Sequence, residues 1–181
     1  MSSFARDLRK QKIEKNIGKS NDLILILDDL YDTFNVGGMY RVGDAAGVSQ
    51  IIHCGTTPVP PDPKILRASV GLCNYIPWKY EKDIIEVIKK LQVTGYRIIV
   101  LEQNEKSKPY NEVDYGQQPT NNKQHTTGIA LVAGNETFGV KKEIIDLADL
   151  VVELPMYGVN KSLNVVVATG IVVYEIRQRI I

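Results

Sequence analysis

The amino-acid sequence predicts an α/β protein built on a largely parallel β-sheet flanked by helices, and three observations carry that expectation. Short continuous apolar runs alternate along the chain with longer segments of helical periodicity. The runs are continuous rather than alternating, as strands covered on both faces require. Polar, glycine-marked turns follow several of them, in the manner of loops that hold ligand beyond strand ends. With 181 residues, 44% hydrophobic and 24% charged, the chain can bury one substantial core as a single domain.

The elements follow in order. Leu23 to Leu27 is an unbroken apolar run ended by Asp28 and Asp29, the pattern of a two-sided buried strand. A loop through Asp32, Thr33 and Phe34 leads to Asn35, a plausible N-cap for a helix over 36–46 that Gly47 stops. Ile51 to Cys54 is the next strand. Four prolines between Thr56 and Pro63 exclude regular structure and mark a rigid loop before a short helix holding Ile65, Leu66 and Val70. Ile84, Ile85, Ile88 and Leu91 form one face of a helix closed by Gly95, and Ile98 to Leu101 is a strand. The polar stretch from Lys106 to Thr127 reads as one long loop, either functional or an inert excursion. A strand from Ile129 to Ala133, a helix around Lys142 to Leu147, a strand from Leu150 to Leu154 and a helix from Leu163 to Arg179 complete the βα alternation.

Charge is unevenly placed. The net charge is +1, yet residues 1–19 carry Arg6, Arg9, Lys10, Lys12, Lys15 and Lys19 against Asp7 and Glu14, so this basic N-terminal arm is +4 and residues 20–181 are −3. Such an arm serves either as a docking element for RNA phosphates or as a solvated amphipathic helix packed through Phe4, Leu8, Ile13 and Ile17. Cys54 and Cys73 lack CxxC spacing and form no ligand set with His53 or His125, so neither a metal site nor a disulfide framework is expected. No run has the length of a signal or membrane segment, which makes no membrane association and a cytoplasmic location the expectation. The Asn135-Glu136-Thr137 and Asn160-Lys161-Ser162 glycosylation patterns are then chance matches.

Chemistry concentrates in three turns. Gly134 and Gly139 bracket Asn135 and Glu136 directly after a strand, an arrangement that brings backbone amides near a ligand beside a carboxylate. It is not a P-loop, and no GxGxxG follows the first strand, so neither nucleotide hydrolysis nor dinucleotide binding is supported. Taken alone, the segment reads equally as a turn with an exposed Glu, and Ser162 reads equally as an N-cap of the last helix.

In order, however, Asn35-Val36-Gly37-Gly38-Met39-Tyr40-Arg41, Gly134 to Gly139, Leu154-Pro155-Met156-Tyr157-Gly158 and Ser162-Leu163-Asn164 resemble the motifs of the SpoU/TrmH family of RNA ribose 2′-O-methyltransferases in the SPOUT superfamily. The resemblance spans about residues 23–177. Leu101-Glu102-Gln103, Lys64 to Ser69 and Tyr75 to Trp78 are also similar to the branch that methylates a D-loop guanosine of tRNA.

This resemblance implies a deep C-terminal trefoil knot, which general topology rules would not suggest, and S-adenosylmethionine as cofactor. Its pocket would be formed by Leu101, Glu102 and Gln103, by Ala133, Gly134, Asn135 and Gly139, and by Leu154, Pro155, Met156 and Gly158, with Ser162 and Leu163 completing it. Within it, Leu101, Leu154 and Met156 would cover the adenine, and Gly134 and Gly158 would allow close approach. The resemblance makes Arg41 the central catalytic residue, with Asn35, Glu136, Ser162 and Asn164 orienting it and the substrate. Because arginine is almost always protonated, Arg41 suits an electrostatic clamp on developing alkoxide and phosphate better than a general base, which is the family's alternative assignment.

The implied partner is RNA, with tRNA favoured because the extra N-terminal substrate-binding domain of many ribosomal-RNA enzymes is lacking. The alternatives are a wobble ribose, ribosomal RNA, or a non-catalytic RNA-binding module. Nine Tyr, with Phe34 and Trp78, offer stacking surfaces. The helix from Val165 to Tyr174 is apolar on nearly all sides, and with the family resemblance this leads to the expectation of a homodimer in which Arg41 lies near the partner's pocket.

Overall fold

A computed structural model describes residues 7, 11, 22–116 and 128–180. Nearly all of the basic arm, and residues 117–127 of the polar loop with His125, lie outside the described residues.

Among the described residues, seven strands form one sheet: β1 (Asp22–Asp28), β2 (Gln50–Cys54), β3 (Trp78–Glu81), β4 (Tyr96–Leu101), β5 (Lys108–Pro109), β6 (Gly128–Ala133) and β7 (Leu150–Glu153). Their spatial order is β3-β2-β1-β6-β4-β7-β5. Every pairing is parallel, with Leu25 opposite Ile51 on one side and Leu131 on the other. Among the described residues, the α-helices that flank it are α1 (Thr33–Ala46), α2 (Pro63–Ala68), α3 (Ile84–Val93), α4 (Lys142–Leu147) and α5 (Val165–Ile180).

The continuous apolar runs are explained by burial on both faces. Leu23, Leu25 and Leu27 of β1 pack in the core formed with Met39 and Tyr40 of α1 and Val172, Val173 and Ile176 of α5. The alternate residues Ile24 and Ile26 enter the opposite core with Ile84, Val87 and Ile88 of α3 and Ile144 of α4. Burial therefore follows the twofold alternation of the strand, with no polar face left to show it.

Several expectations are corrected. Helix α1 begins at Thr33, and its cap is Asp32, whose carboxylate accepts the Phe34 N–H at 2.8 Å, so Asn35 lies in the first turn with its side chain free for other partners. Its C-terminal stop is Gly47 with φ 69°, as expected. Helix α2 ends at Ala68, and Val70 stands beyond it at φ 53° and 72% exposed. Helix α5 begins at Val165, not Leu163, and the cap is Asn164, not Ser162: the Asn164 side chain accepts the Val166 N–H at 2.9 Å. Strand β5 falls in the stretch expected to be one long loop, and β3 in a stretch to which the sequence assigns no element.

Helices α1 and α5 are locked together. A Cβ on Gly38 would lie 2.9 Å from Val166, and Arg177 donates from Nε to the Ala46 carbonyl and from Nη2 to the Gly47 carbonyl, both at 2.9 Å. His53 is a core group: fully buried, bonded through Nε2 to Tyr40 Oη at 2.8 Å, and pushed by burial to a pKa of about 4, which keeps it neutral.

Candidate active site

The C-terminal ends of β4, β6 and β7 lie side by side, and the loops leaving them meet the N-terminal turns of α1 and α5 around a cleft of about 470 Å³. That volume suits a small-molecule ligand. Of the residues singled out in the sequence, Leu101, Glu102, Gln103, Gly134, Asn135, Gly139, Leu154, Met156, Ser162 and Leu163 line it, as do Asn35, Glu136 and Asn164. Ala133 closes the buried end of β6, and Pro155, Gly158 and Arg41 lie outside the lining.

Thr137, Glu153, Val165 and Ala168 also line the cleft. Each had a sequence signal. Thr137 sits inside the Gly134 to Gly139 turn, Glu153 directly precedes Leu154, and Val165 and Ala168 follow Asn164 by one residue and by one helical turn.

The turn after β6 is braced from within. Asn135 Oδ1 accepts the N–H groups of Thr137 and Phe138 at 2.8 and 2.9 Å, and its carbonyl accepts the Gly139 N–H at 3.0 Å. A Cβ on Gly134 would lie 2.4 Å from Val140 Cγ2, so the absence of a side chain there serves packing within the turn. At Gly158 no atom lies within 4 Å of that position.

Side chains tie this turn to β1. Asn135 Nδ2 donates to the Asp29 carbonyl at 2.7 Å, and Lys141 pairs with the Asp29 carboxylate at 2.8 Å. Asp29 adopts φ 52°, and its carboxylate also accepts the Thr56 N–H and hydroxyl. The Lys141 ammonium, together with these Thr56 donors, holds the Asp29 carboxyl below the usual carboxylate range.

One polar chain crosses the mouth of the cleft. Asn164 Nδ2 donates to Asn35 Oδ1 at 3.0 Å, and Asn35 Nδ2 donates to Glu136 Oε1 at 2.9 Å. The backbone N–H groups of Tyr31 and Asp32 also point to Glu136, each at 3.4 Å. Three segments far apart in sequence thus present one ordered set of amides and a carboxylate, with Asn164 simultaneously capping α5. Ser162 is exposed at the edge. Arg41 is exposed on α1, and no ion pair holds it among the described residues.

Among the described residues, no group of three or more His, Cys, Asp or Glu is placed to hold a metal ion, and no helix is long and apolar enough to cross a membrane.

A parallel α/β sheet whose strand-end loops close on one ligand-sized cleft defines the class: an α/β protein with a small-molecule site at its carboxyl edge. Over residues 22–174 the sequence matches the model of the SpoU rRNA Methylase family, and the chain belongs to that family.

The chain is 29% identical over 185 residues to a tRNA (guanosine(18)-2′-O)-methyltransferase of Borreliella burgdorferi, covering 99% of this chain and 78% of that protein. It is 30% identical over 165 residues to the protein of the same name from Aquifex aeolicus, covering 89% and 71%. Among solved structures, the AdoMet-bound rRNA methyltransferase from Sinorhizobium meliloti superposes with a TM-score of 0.80 at 27% identity, over 93% of this chain and 60% of that one. The A. aeolicus TrmH/SpoU tRNA modifying enzyme gives 0.76 at 26% identity, over 97% and 84%. The chain thus spans about three-quarters of these curated relatives and 60% of the longer solved protein.

Proposed function

We propose that this chain methylates the 2′-hydroxyl of a ribose in RNA, using S-adenosylmethionine, and that its substrate is tRNA with a D-loop guanosine as the favoured target. The observation that carries the reading is the joining of Asn164, Asn35 and Glu136 across the mouth of a cleft of about 470 Å³. The names of the two curated relatives support the substrate, and the AdoMet-bound neighbour supports the cofactor.

The cleft fits that cofactor in size and in chemistry. Apolar walls from Leu101, Leu154, Met156 and Leu163 suit a purine, and the carboxylates of Glu136 and Glu153, with no Lys or Arg in the lining among the described residues, suit a positively charged sulfonium. When bound, S-adenosylmethionine supplies an electrophilic methyl group. The loops after β4, β6 and β7 would hold it, the apolar residues excluding water from the adenine. The trefoil knot implied by the family resemblance is part of the same proposal for this chain.

On the acceptor side, a ribose hydroxyl is a weak nucleophile that must be positioned and must pass its proton to an acceptor, for which an oxygen of a neighbouring RNA phosphate is available. Asn35 and Asn164 offer amides that orient it, and Glu136 fixes the direction of Asn35. Arginine is a poor proton acceptor and its guanidinium presents a rigid fork of donors, so the role of Arg41 is to stabilise the developing alkoxide and grip a neighbouring phosphate.

Arg41 stands outside the lining of its own cleft, and Val167, Ile171 and Tyr174 form an exposed apolar stripe on α5, 51, 36 and 48% accessible, with Phe34 and Leu163 exposed as well. Both features support a homodimer in which this stripe is covered and Arg41 serves the partner's cleft. The basic arm of residues 1–19 supplies further phosphate contacts, and the cytoplasm is the setting of the reaction.

The test is methyl incorporation from labelled S-adenosylmethionine into total tRNA, with nuclease digestion and mass spectrometry of the product to locate the ribose. Arg41→Ala should lower the rate at least 100-fold while cofactor binding persists, the scale of losing a transition-state charge contact. Absence of transfer to any RNA class by folded, cofactor-bound protein would overturn the reading.

A further inference from the structure

Glu102 has a different task from the one its place in the sequence suggests. Its backbone N–H bonds to the Val152 carbonyl at 3.0 Å, extending the β4–β7 pairing by one residue, so the sheet fixes its position. From there its carboxylate spans two loops. Oε1 accepts the Gln103 N–H at 2.8 Å, and Oε2 accepts the Val140 N–H at 2.6 Å. The second bond is short and charge-assisted.

The facing turn is shaped to receive it. Gly139 adopts φ 66°, and a Cβ there would lie 2.3 Å from Glu102 Oε2, so glycine supplies both the left-handed backbone and the space that the carboxylate occupies. Within the turn, Asn135 holds Thr137, Phe138 and Gly139. The bond from Val140 fastens this unit to the β4 side of the cleft beyond the last paired residues of β4 and β6.

We propose that Glu102 is a positioning residue: it sets the separation of the cleft's walls by holding the 134–140 turn against the end of β4, rather than contacting cofactor. Both of its oxygens are engaged by backbone donors. The strut is independent of what fills the cleft, and its consequence for affinity rests on the S-adenosylmethionine reading above. Removing it leaves the Val140 N–H without its partner and lets the wall move, so ligand affinity falls although no ligand contact has been deleted.

The experiment combines backbone amide exchange at Val140 in the ligand-free protein with calorimetric Kd values for S-adenosylmethionine and with kcat at saturating cofactor. In Glu102→Ala, exchange at Val140 should accelerate at least tenfold, the Kd should rise about tenfold or more, and kcat should fall less than the affinity does. Glu102→Gln keeps the size and one acceptor oxygen and should lie between; it also serves if the alanine variant does not fold. Gly139→Ala displaces the carboxylate, so its effect on Kd should not add to that of Glu102→Ala.

Unchanged Val140 exchange in the Glu102 variants, or fully additive Kd effects in the double variant, would overturn the proposal. If the wild-type protein binds no S-adenosylmethionine while Val140 responds as stated, the cofactor reading fails and the strut stands.

Discussion

At Gly37 the helix carrying Asn35 and Arg41 packs against Ala68 and Ser69 with no room for a side chain, and Gly37→Ala tests the packing that places them. An added Cβ would lie 2.4 Å from Ala68 Cβ and 2.9 Å from the Ser69 backbone nitrogen, contacts that no rotamer change can relieve. One helix must move from the other by more than an ångström, at an overpacking cost of about 3 kcal/mol. Alanine recovers about 1 kcal/mol of helix propensity, leaving a net loss of about 2 kcal/mol. For a domain of this size that lowers Tm by roughly 4–8 °C. Gly170→Ala is the control: it lies in α5 with Val42 Cγ2 at 3.6 Å as its nearest neighbour, an ordinary contact. It should gain about 0.5–1 kcal/mol. Urea and thermal unfolding of both variants decide the matter. A Gly37→Ala protein as stable as wild type would refute the claim that the α1–α2 contact is at its steric limit.

Three further outcomes follow from particular groups. Asn164→Asp keeps the oxygen that caps α5 but loses the amide that donates to Asn35, so Tm should stay within about 2 °C while methyl transfer drops about tenfold or more; Asn164→Ala should lose both, costing about 1 kcal/mol. Asp28 is pushed up to a pKa of about 6 by burial and by the adjacent Asp29, so its contribution favours the folded state below about pH 4 and is lost as pH rises through 6. Asp28→Asn should therefore stabilise the protein by about 2 kcal/mol at pH 7.5 and by clearly less at pH 5; an equal gain at both would contradict the assignment, and comparison with wild type cancels the opposing titration of His53. Deletion of residues 2–19 should weaken RNA affinity and flatten its dependence on salt if those cations meet phosphates, whereas unchanged binding would remove that role.

What could be read from the chain depended on whether local chemistry had a competitor. Leu23 to Leu27 has only one reasonable burial pattern, and Gly47 ends α1 because its φ of 69° admits little else. Caps were harder, since Asp32, Thr33 and Asn35 all suit the start of α1 and Ser162 and Asn164 both suit that of α5. The choice was made by partners more than a hundred residues distant: Glu136 engages Asn35, which in turn engages Asn164. Strand β3 escaped notice because Trp78-Lys79-Tyr80-Glu81 is an edge segment whose burial alternates between exposed and intermediate, and β5 because two residues, one of them proline, carry no periodicity. The cleft residues were largely visible as motifs, but their division of labour was not. Asn135 and Glu102 spend their polar atoms holding loops, which only their hydrogen-bond partners disclose.

The position of α5 in the chain has a consequence for biosynthesis. Val172, Val173 and Ile176 cover the face of the sheet that displays Leu23, Leu25 and Leu27, yet they are separated from those leucines by most of the polypeptide. At ribosomal speeds of about 5–20 residues per second, that apolar face waits roughly seven to thirty seconds for its last covering helix to be made. During this interval the nascent sheet is an adhesive surface, so newly made protein should depend on holdase chaperones, and a ribosome stalled before residue 165 would leave a sticky, degradation-prone fragment instead of a smaller working enzyme.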